Sequence, residues 1–488
     1  MNDPSEQTSH LAELSVEEIT RRFTDGSLTS LSLVDNCLER VAALDEQNTL
    51  IGLNSIAALC ADARDVAIKR DDERSSGNVR GELHGVPVLI KDNIEAVGLP
   101  GVAGSTSLLG RVSRDATLVT RLRDAGAIIL GSTNLSEWVN IRSPRSTSGY
   151  SATGGLVANP WALDRSAGGS SSGSGAALAA GLAPLAVGTE TDGSIVCPAS
   201  VNGVVGLKPT VGTVPTTYVV PISSSQDSPG PMGRNVNDVA LIYSVLARSA
   251  ALHVDEAPRV VAASNWRTGH PQTDELFDDV VRSFRHDGLV VAERDLALPG
   301  EQEGRDEETV LFAELYDDLN AYLAERPGHG VKSLEEVIAF EDECHEQEQR
   351  YFGHENFLAA VKGGGRRGPD YAEARKRNLA WAVETCLTPA LEGVDLVIAP
   401  AFGPSWKSDL TVGGHPGPAS PATMAPAIAG WPIMCLPMGL IQGLPVGLAI
   451  IGRPHSEWVM IDGARRFEKI IQHRGPPPSP LWRSPSRG

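Results

Sequence analysis

"GGSSSGSGAALAAGLAPLAVGTETDGS" (residues 168–194) joins two clusters of glycine and serine through an apolar segment. A Gly/Ser-rich stretch taken alone is more often a linker than a catalytic site. Here the apolar segment is long enough for a buried helix followed by a buried strand. Because a flexible linker rarely lies inside a core, the stretch predicts a folded α/β unit with serines at both of its ends.

Short apolar runs bordered by turn residues recur along the chain and predict further buried strands. They span residues 85–93, 126–131, 183–191, 203–209 and 395–400. Ser15 and Glu18 form a capping box before a helical period, so helices are expected to open the chain. Strands that alternate with helical or loop segments favour an α/β fold whose sheet is covered by helices on both faces. The 488 residues allow about three domains or one large α/β unit.

The composition excludes several classes of partner. The formal charge of −19 would repel a phosphate backbone or an anionic membrane surface, so nucleic acid is not expected as a partner. A secretory signal and an apolar run of about 18 residues are both missing from the sequence, so no membrane span is expected. The six cysteines are scattered and lack the CxxC spacing of a zinc site. They are read as reduced thiols, which predicts a cytoplasmic protein.

The amino-acid composition and the hydrophobic pattern change along the chain. We expect one folded unit over residues 1–473, with an acidic, amphipathic helical elaboration at about 295–390. Within that elaboration Leu311, Leu315, Leu319 and Tyr322 share one helix face. It is either a solvated addition packed on the sheet or a lid that shapes a pocket. Residues 474–488 are rich in proline and are predicted to be a disordered tail.

One interpretation of the serines is a nucleophile elbow. Residues 169–173 match G-x-S-x-G with Ser171 at the centre. His415, His455 and His473 are the candidate bases. The elbow needs a strand immediately before it, whereas the preceding residues contain a proline and a turn and lack a β-branched run. The serine–histidine–acid arrangement is therefore disfavoured.

A second interpretation joins Lys91, the serines after Gly169, and Ser194. Serine needs a base to act as a nucleophile at neutral pH. A lysine can serve if burial lowers its pKa from about 10.4 toward about 7 or 8. Lys91 closes an apolar strand, which suits that role, although a surface lysine at a strand end is the alternative. Around Ser194, the segment ETDGS could point consecutive N–H groups at one oxyanion.

Three stretches together carry a family resemblance. They are LHGVPVLIKDNIE, NPWALDRSAGGSSSGSGAALAAGLAPLAVGTETDGSIVCPAS and GLPVGLAIIGRPHSE. The chain resembles the amidase signature family of serine hydrolases over most of its length, apart from the acidic middle and the tail. The resemblance implies a single large α/β domain with a mixed, mostly parallel central sheet covered by helices on both faces.

The resemblance also implies a Ser-cisSer-Lys triad. Ser194 corresponds to the nucleophile, Ser170 to the bridging serine that relays protons, and Lys91 to the base. A cis peptide bond before Ser170 is implied as well, and neither a cofactor nor a metal is. The oxyanion hole is expected from the backbone N–H groups of Thr191, Asp192, Gly193 and Ser194. Asp92 and Asn93 are candidates for orienting either the lysine or the loop.

This chain departs from the commonest family pattern at Glu190, Asp192 and Val196. Asp192 either recognises a donor on the substrate, such as a backbone N–H or an amine, or makes a hydrogen bond that stabilises its loop. Trp431 is a candidate for the acyl pocket, with core packing as the alternative, and Met434 is read as core. His84 is read as a structural turn residue. Residues 344–346 (CHE) are too isolated for a metal site.

Within the family the pattern looks closest to bacterial peptide amidases, which implies a peptide amide or small amide substrate. The same triad in related enzymes cleaves aryl acylamides and carbamates, so that activity is the first alternative. Alternatives of another class are the amidase-like subunit of a tRNA-dependent amidotransferase and a catalytically dead binding protein. The net negative charge and the sequence ETDGSIVCP disfavour the amidotransferase subunit. A monomer or a homodimer is expected.

Overall fold

A computed structural model describes residues 11–45, 52–110, 112–250, 252, 256–328, 330–413 and 417–472. The predicted proline-rich tail, His415 and His473 lie outside these residues. Each apolar run predicted to be a strand forms one. In chain order the strands are β1 (Ile56–Leu59), β2 (Pro87–Lys91), β3 (Ile128–Thr133), β4 (Tyr150–Ser151), β5 (Gly155–Leu156), β6 (Ala158–Asn159), β7 (Ala162–Ser166), β8 (Leu185–Glu190), β9 (Val205–Lys208), β10 (Ser228–Gly233), β11 (Val260–Ala263), β12 (Val291–Arg294), β13 (Leu396–Pro400), β14 (Ile433–Ile441) and β15 (Leu444–Ile451).

One mixed sheet of 11 strands organises the molecule, as the resemblance implied. Its order is β1-β3-β2-β8-β10-β9-β14-β15-β13-β11-β12. The expectation that the sheet is mostly parallel is wrong. Parallel pairing is confined to β3-β2-β8 and β13-β11-β12, and the other neighbours pair antiparallel. The reason is partly local: β14 and β15 are joined by a two-residue turn at Gln442 and Gly443, both with positive φ, and such a turn makes a hairpin rather than a crossover.

Helices cover both faces of the sheet. Alternation along β14 shows this, because Ile433 and Cys435 join one hydrophobic cluster while Met434 and Leu436 join another. Successive strand residues point to opposite faces, so the two clusters lie on opposite sides of the sheet. The α-helices are α1 (Val16–Thr24), α2 (Ser30–Leu44), α3 (Ala63–Ser75), α4 (Thr117–Asp124), α5 (Ser172–Ala179), α6 (Val196–Asn202), α7 (Val236–Ala247), α8 (Pro271–His286), α9 (Glu301–Glu325), α10 (Leu334–Glu343), α11 (His345–Glu348), α12 (Glu355–Gly363), α13 (Tyr371–Leu379), α14 (Thr388–Ala390), α15 (Met424–Ala429) and α16 (Glu457–Gln472), with a π-helix at Ala380–Leu387.

The acidic segment is helical, as predicted, and contains α9 to α14. Leu315 and Leu319, from the predicted apolar face of α9, are buried in a third hydrophobic cluster. That cluster includes Phe357 of α12 and Trp138, whose ring meets that of Phe357 edge to face at 5.6 Å. The segment therefore packs on the loops beside the sheet through a core of its own. Among the described helices, none has the length and apolar composition needed to cross a bilayer.

Candidate active site

Lys91 is a fully buried lysine at the carboxyl end of an interior strand. Its strand, β2, lies between β3 and β8 and pairs with both in parallel. Lys91 has no exposed surface, so the alternative of a surface lysine is wrong. Burial lowers its pKa well below the ordinary lysine value, because the ammonium form loses its hydration.

The amine of Lys91 has three polar neighbours. Its Nζ lies 2.7 Å from Ser170 Oγ, 2.9 Å from Thr189 Oγ1 and 3.1 Å from the Thr189 carbonyl oxygen. A neutral amine has two N–H donors and one lone pair. The carbonyl of Thr189 can only accept, and its hydroxyl can accept as well, which leaves the lone pair for the Ser170 hydroxyl. The geometry therefore suits an uncharged lysine that accepts a proton from Ser170.

Ser170 is held at the start of α5. The Gly169–Ser170 peptide bond is cis, as the resemblance implied. The Ser170 carbonyl accepts the Ser136 N–H at 3.1 Å. A side chain at Gly169 would drive its Cβ into Ser136 Oγ, so this position needs glycine. The Ser170 side chain is fully buried between the lysine and the serine cluster.

Ser194 lies next to Ser170 in space. The Ser194 carbonyl accepts the Ser171 N–H at 3.1 Å, which brings the second glycine–serine cluster against the first. Ser194 is 7% exposed, whereas Ser170 and Lys91 have no exposed surface. Ser194 is thus the one member of this group with access from outside, as a nucleophile requires.

The hydroxyl of Ser171 is used in hydrogen bonds to the backbone, which suits a structural role. Its hydroxyl donates to the Thr189 carbonyl at 3.1 Å and accepts the Thr189 N–H at 3.2 Å. In the described part of the chain its hydrogen-bond partners include no histidine, and His455 is exposed. A short strand does precede the cluster, contrary to expectation, but β7 pairs with β6 in a separate two-stranded ribbon. The nucleophile elbow therefore lacks its sheet, and the described residues supply no histidine base for it.

The loop before Ser194 presents free N–H groups. Gly193 has a φ of +75°, in the left-handed region that glycine favours. Within the described residues, the N–H groups of Asp192, Gly193 and Ser194 donate to no protein acceptor. The next two N–H groups, of residues 195 and 196, donate to Glu190 Oε2 at 2.6 and 2.8 Å. Glu190 thus anchors the turn while the donors ahead of it remain available to a ligand.

Asp192 contacts a residue that is distant in the chain. Its carboxylate accepts a hydrogen bond from the Thr423 side chain, and its Oδ1 is buried without a partner in the described residues. Burial raises the pKa of this carboxyl. A Cβ at Gly193 would contact Thr423 and Phe402 at 3.6 to 3.8 Å, so these two residues line the same side of the loop. Neither was singled out from the sequence, because they are distant in the chain and belong to no motif.

The tryptophan and methionine candidates fall mainly in the core. Trp431 is half-buried and packs against the larger hydrophobic cluster, and its carbonyl accepts a hydrogen bond from Lys208 Nζ at 2.9 Å. Met434 is fully buried, as its interpretation as core predicted. Lys208 is itself fully buried, and burial lowers its pKa to about 8. Sequence reasoning missed this lysine.

The residues after Lys91 divide in role. Asn93 Nδ2 donates to Thr189 Oγ1 at 3.1 Å, so it contacts the residue that holds the lysine. Asp92 instead accepts the Val102 N–H at 3.2 Å. His84 is bonded to the Arg70 carbonyl and the Arg80 N–H, in agreement with a structural turn residue.

The acidic cluster Glu137, Glu341 and Glu348 is the one group in the described residues whose ligand atoms could converge on a metal ion. The guanidinium of Arg142 already pairs with all three carboxylates. Arg142 has no exposed surface. The cluster is therefore an internal ion-pair network, and Cys344 is not part of it.

A cavity of about 280 Å³ is lined in part by Thr189, the residue that contacts the Lys91 amine. Thr191 and Asn93 also line this cavity, as do Asp318 and Tyr322 of α9. Within this lining Thr191 Oγ1 donates to Asp227 Oδ1 at 2.6 Å. Helix α9 thus lines the same cavity as Thr189, the residue that contacts Lys91.

Comparison with known proteins agrees with this geometry. The family model described as Amidase matches residues 32–460. A probable amidase of Arabidopsis thaliana is 34% identical over 96% of this chain and 92% of its own length. One subunit of the glutamyl-tRNA(Gln) amidotransferase of Symbiobacterium thermophilum is 32% identical over 94% of this chain and 97% of its own length.

A solved structure is similar throughout. The native peptide amidase of Stenotrophomonas maltophilia is 37% identical and superposes with a TM-score of 0.89, covering 97% of this chain and 99% of its own. The match spans the sheet, the serine clusters and the acidic helices alike. The chain therefore belongs to the amidase family, and its activity is the hydrolysis of amide bonds.

Proposed function

We propose that this enzyme hydrolyses peptide amides or related small amides through Lys91, Ser170 and Ser194. The observation that carries the proposal is the contact of 2.7 Å between the fully buried Lys91 Nζ and Ser170 Oγ, together with the hydrogen bond from the neighbouring Ser171 N–H to the Ser194 carbonyl. The similarity to a peptide amidase over nearly the whole chain supports the substrate class.

The reaction begins with proton transfer toward the lysine. Neutral Lys91 accepts the proton of Ser170 as Ser170 accepts that of Ser194, and Ser194 Oγ adds to the amide carbonyl carbon. The carbonyl oxygen becomes an oxyanion that the free N–H groups of Asp192, Gly193 and Ser194 stabilise, with that of Thr191 as a further candidate. Losing one such donor costs about 3 kcal/mol of transition-state stabilisation in comparable sites.

The tetrahedral intermediate then collapses. Ser170 donates a proton to the departing nitrogen, the C–N bond breaks, and Lys91 returns its proton to Ser170. An acyl ester on Ser194 and a free amine or ammonia result. Water repeats the sequence in the place of Ser194, which releases the carboxylic acid and restores the neutral lysine. Each proton taken up by Lys91 is given back within the same half-reaction, so no cofactor enters the balance.

We propose that the acidic helices form one wall of the active site. Helix α9 binds the loop before β10 through Glu314, which accepts the N–H of Ser225 at 3.1 Å, and Asp318, which accepts that of Ser224 at 2.8 Å. That loop continues into Asp227, the partner of Thr191. We infer that the elaboration shapes the substrate pocket rather than merely covering the sheet.

The location and assembly of the enzyme also remain proposals. All six cysteines are free thiols, which supports a reducing compartment such as the cytoplasm. The amidotransferase alternative draws on the similarity to the Symbiobacterium protein, yet a charge of −19 disfavours contact with tRNA, so we rank it second. A monomer or a homodimer remains the expectation.

The test is ammonia release by the purified protein from a C-terminally amidated dipeptide, beside an anilide and an alkyl carbamate. Ser194→Ala, checked for folding by circular dichroism, is the control. Ammonia released by the wild type and lost in the variant supports the proposal. Cleavage of the anilide or the carbamate alone would assign a different substrate to the same triad, and full activity of Ser194→Ala would refute the triad.

A further inference from the structure

Three acceptor-bearing side chains converge beside the oxyanion loop from separate parts of the chain. Asp192 comes from the loop itself, Gln226 from the segment before β10, and Glu307 from helix α9. Gln226 Nε2 donates to Glu307 Oε1 at 3.0 Å. The neighbour of Gln226, Asp227, is bonded to Thr191 at 2.6 Å, which fixes this segment against the residue next to Asp192.

Two acceptor atoms of this group lack a hydrogen-bond donor in the described residues. Gln226 is fully buried and its Oε1 has no hydrogen-bond partner in the described residues. Asp192 Oδ1 is buried and equally unpartnered there. Because a buried acceptor without a partner costs folding free energy, such atoms in a native site indicate a ligand or ordered water that supplies donors.

The carboxyl groups of Asp192 and Glu307 indicate which kind of hydrogen-bond donor a ligand would supply. Glu307 is 8% exposed. Burial and the nearby Asp192 carboxylate raise its pKa well above the ordinary value, so the two acids lie close enough to repel each other. The buried cation near Asp192 is Lys208, which also faces Glu190 and donates to the Trp431 carbonyl. Because burial and the neighbouring acid favour the protonated form of Glu307, a cation bound beside Asp192 and Glu307 would take the place of that proton and stabilise both carboxylates.

We propose that Asp192, Gln226 and Glu307 form a subsite for a free ammonium group on the acyl part of the substrate. This inference rests on the proposed function. A primary amide releases ammonia, so the leaving group has no room for a second charge and the ammonium belongs to the acyl part. The substrate class is then amino-acid or short peptide amides with an unblocked amino terminus or a basic side chain near the scissile bond.

The experiment compares one dipeptide amide with its N-acetylated form, using ammonia release and kcat/KM. We expect the wild type to prefer the unblocked amide by roughly ten- to hundredfold, the range of a hydrogen bond to a charged group. Glu307→Gln should reduce this preference to within about threefold of unity, while Glu307→Asp should keep most of it. Glu308→Gln, an exposed neighbour on the same helix, is the matched control and should retain the wild-type ratio.

The ratio of the two substrates separates a binding role from a structural one. A variant that only loosens the fold lowers both values of kcat/KM together and leaves their ratio unchanged, which would overturn the inference for Glu307. Equal hydrolysis of both amides by the wild type would overturn the subsite while leaving the proposed function intact. Ammonia from neither amide would instead refute the proposed function.

Discussion

Thr189→Val removes the hydroxyl that contacts Lys91, the proposed base, with little change in the shape of the side chain. That hydroxyl accepts hydrogen bonds from Lys91 Nζ at 2.9 Å and from Asn93 Nδ2 at 3.1 Å, and Thr189 is 5% exposed. Leaving a buried donor unsatisfied costs about 1 to 3 kcal/mol. Lys91 keeps the Thr189 carbonyl, and Asn93 keeps a long contact of 3.5 Å with the Val220 carbonyl. We therefore expect the free energy of unfolding to fall by about 2 to 3 kcal/mol.

The same change should alter the pH dependence of catalysis. The ammonium form of Lys91 needs an acceptor more than the amine form does, by about 1.4 kcal/mol, so its pKa should fall by about one further unit. The acidic limb of kcat/KM reports protonation of the base, and it should move about one pH unit lower. The plateau should also fall, by about tenfold, because the lysine is held by one bond fewer.

The assay is a pH profile of kcat/KM for an amidated peptide together with urea denaturation. Thr213→Val is the matched control, because the Thr213 hydroxyl oxygen is buried without a partner in the described residues. It should leave the pH profile unchanged and the stability equal or slightly higher. An acidic limb that stays in place or moves to higher pH in Thr189→Val would refute the assignment of Lys91 as the base.

Two further predictions concern the ion-pair network and metals. Arg142→Met should destabilise the protein by about 3 to 5 kcal/mol, because Glu137 and Glu348 lose the buried cation that they share and Glu341 keeps only His354 as an ion-pair partner. The loss of stability should be larger at pH 8 than at pH 5, because burial already raises the pKa of Glu137 and protonation relieves the repulsion between the carboxylates. Urea denaturation at the two pH values measures the loss, and Arg21→Met, at an exposed arginine, is the control. Equal losses at the two pH values would contradict the prediction. Dialysis against a chelator should leave amidase activity unchanged, because Arg142 fills the described carboxylate cluster that could otherwise hold an ion, and activity restored only by added metal would contradict the mechanism.

The local sequence pattern was sufficient to predict the positions of these strands, but it was insufficient to predict whether neighbouring strands pair in parallel. The apolar runs that became β2, β3, β8, β9 and β13 are bounded by turn residues, so each could be predicted from its own sequence. Whether neighbours run parallel depends on connections between distant segments, and the expectation of a mostly parallel sheet failed there.

The residues of the site also fall into a group that could be predicted from local sequence and a group that could not. Lys91, Ser170 and Ser194 lie in recognisable motifs, and the structure brings Lys91 and Ser170 into contact with Ser194 beside them. Glu307 contacts Gln226 across 81 residues, and Arg142 meets Glu341 and Glu348 from another part of the chain. Such partners carry no local signal, because a charged residue on an amphipathic helix is ordinarily a solvated one.

The assignment of Ser194 as the residue that carries the acyl group is tested most directly by mass spectrometry of the quenched enzyme. The enzyme is stopped in acid during steady-state turnover of an activated ester or anilide, digested, and searched for an acyl adduct. We expect an adduct on the peptide containing Ser194 that is absent from Ser194→Ala. An adduct on Ser170 or Ser171, or one that persists in the Ser194→Ala variant, would contradict the assignment.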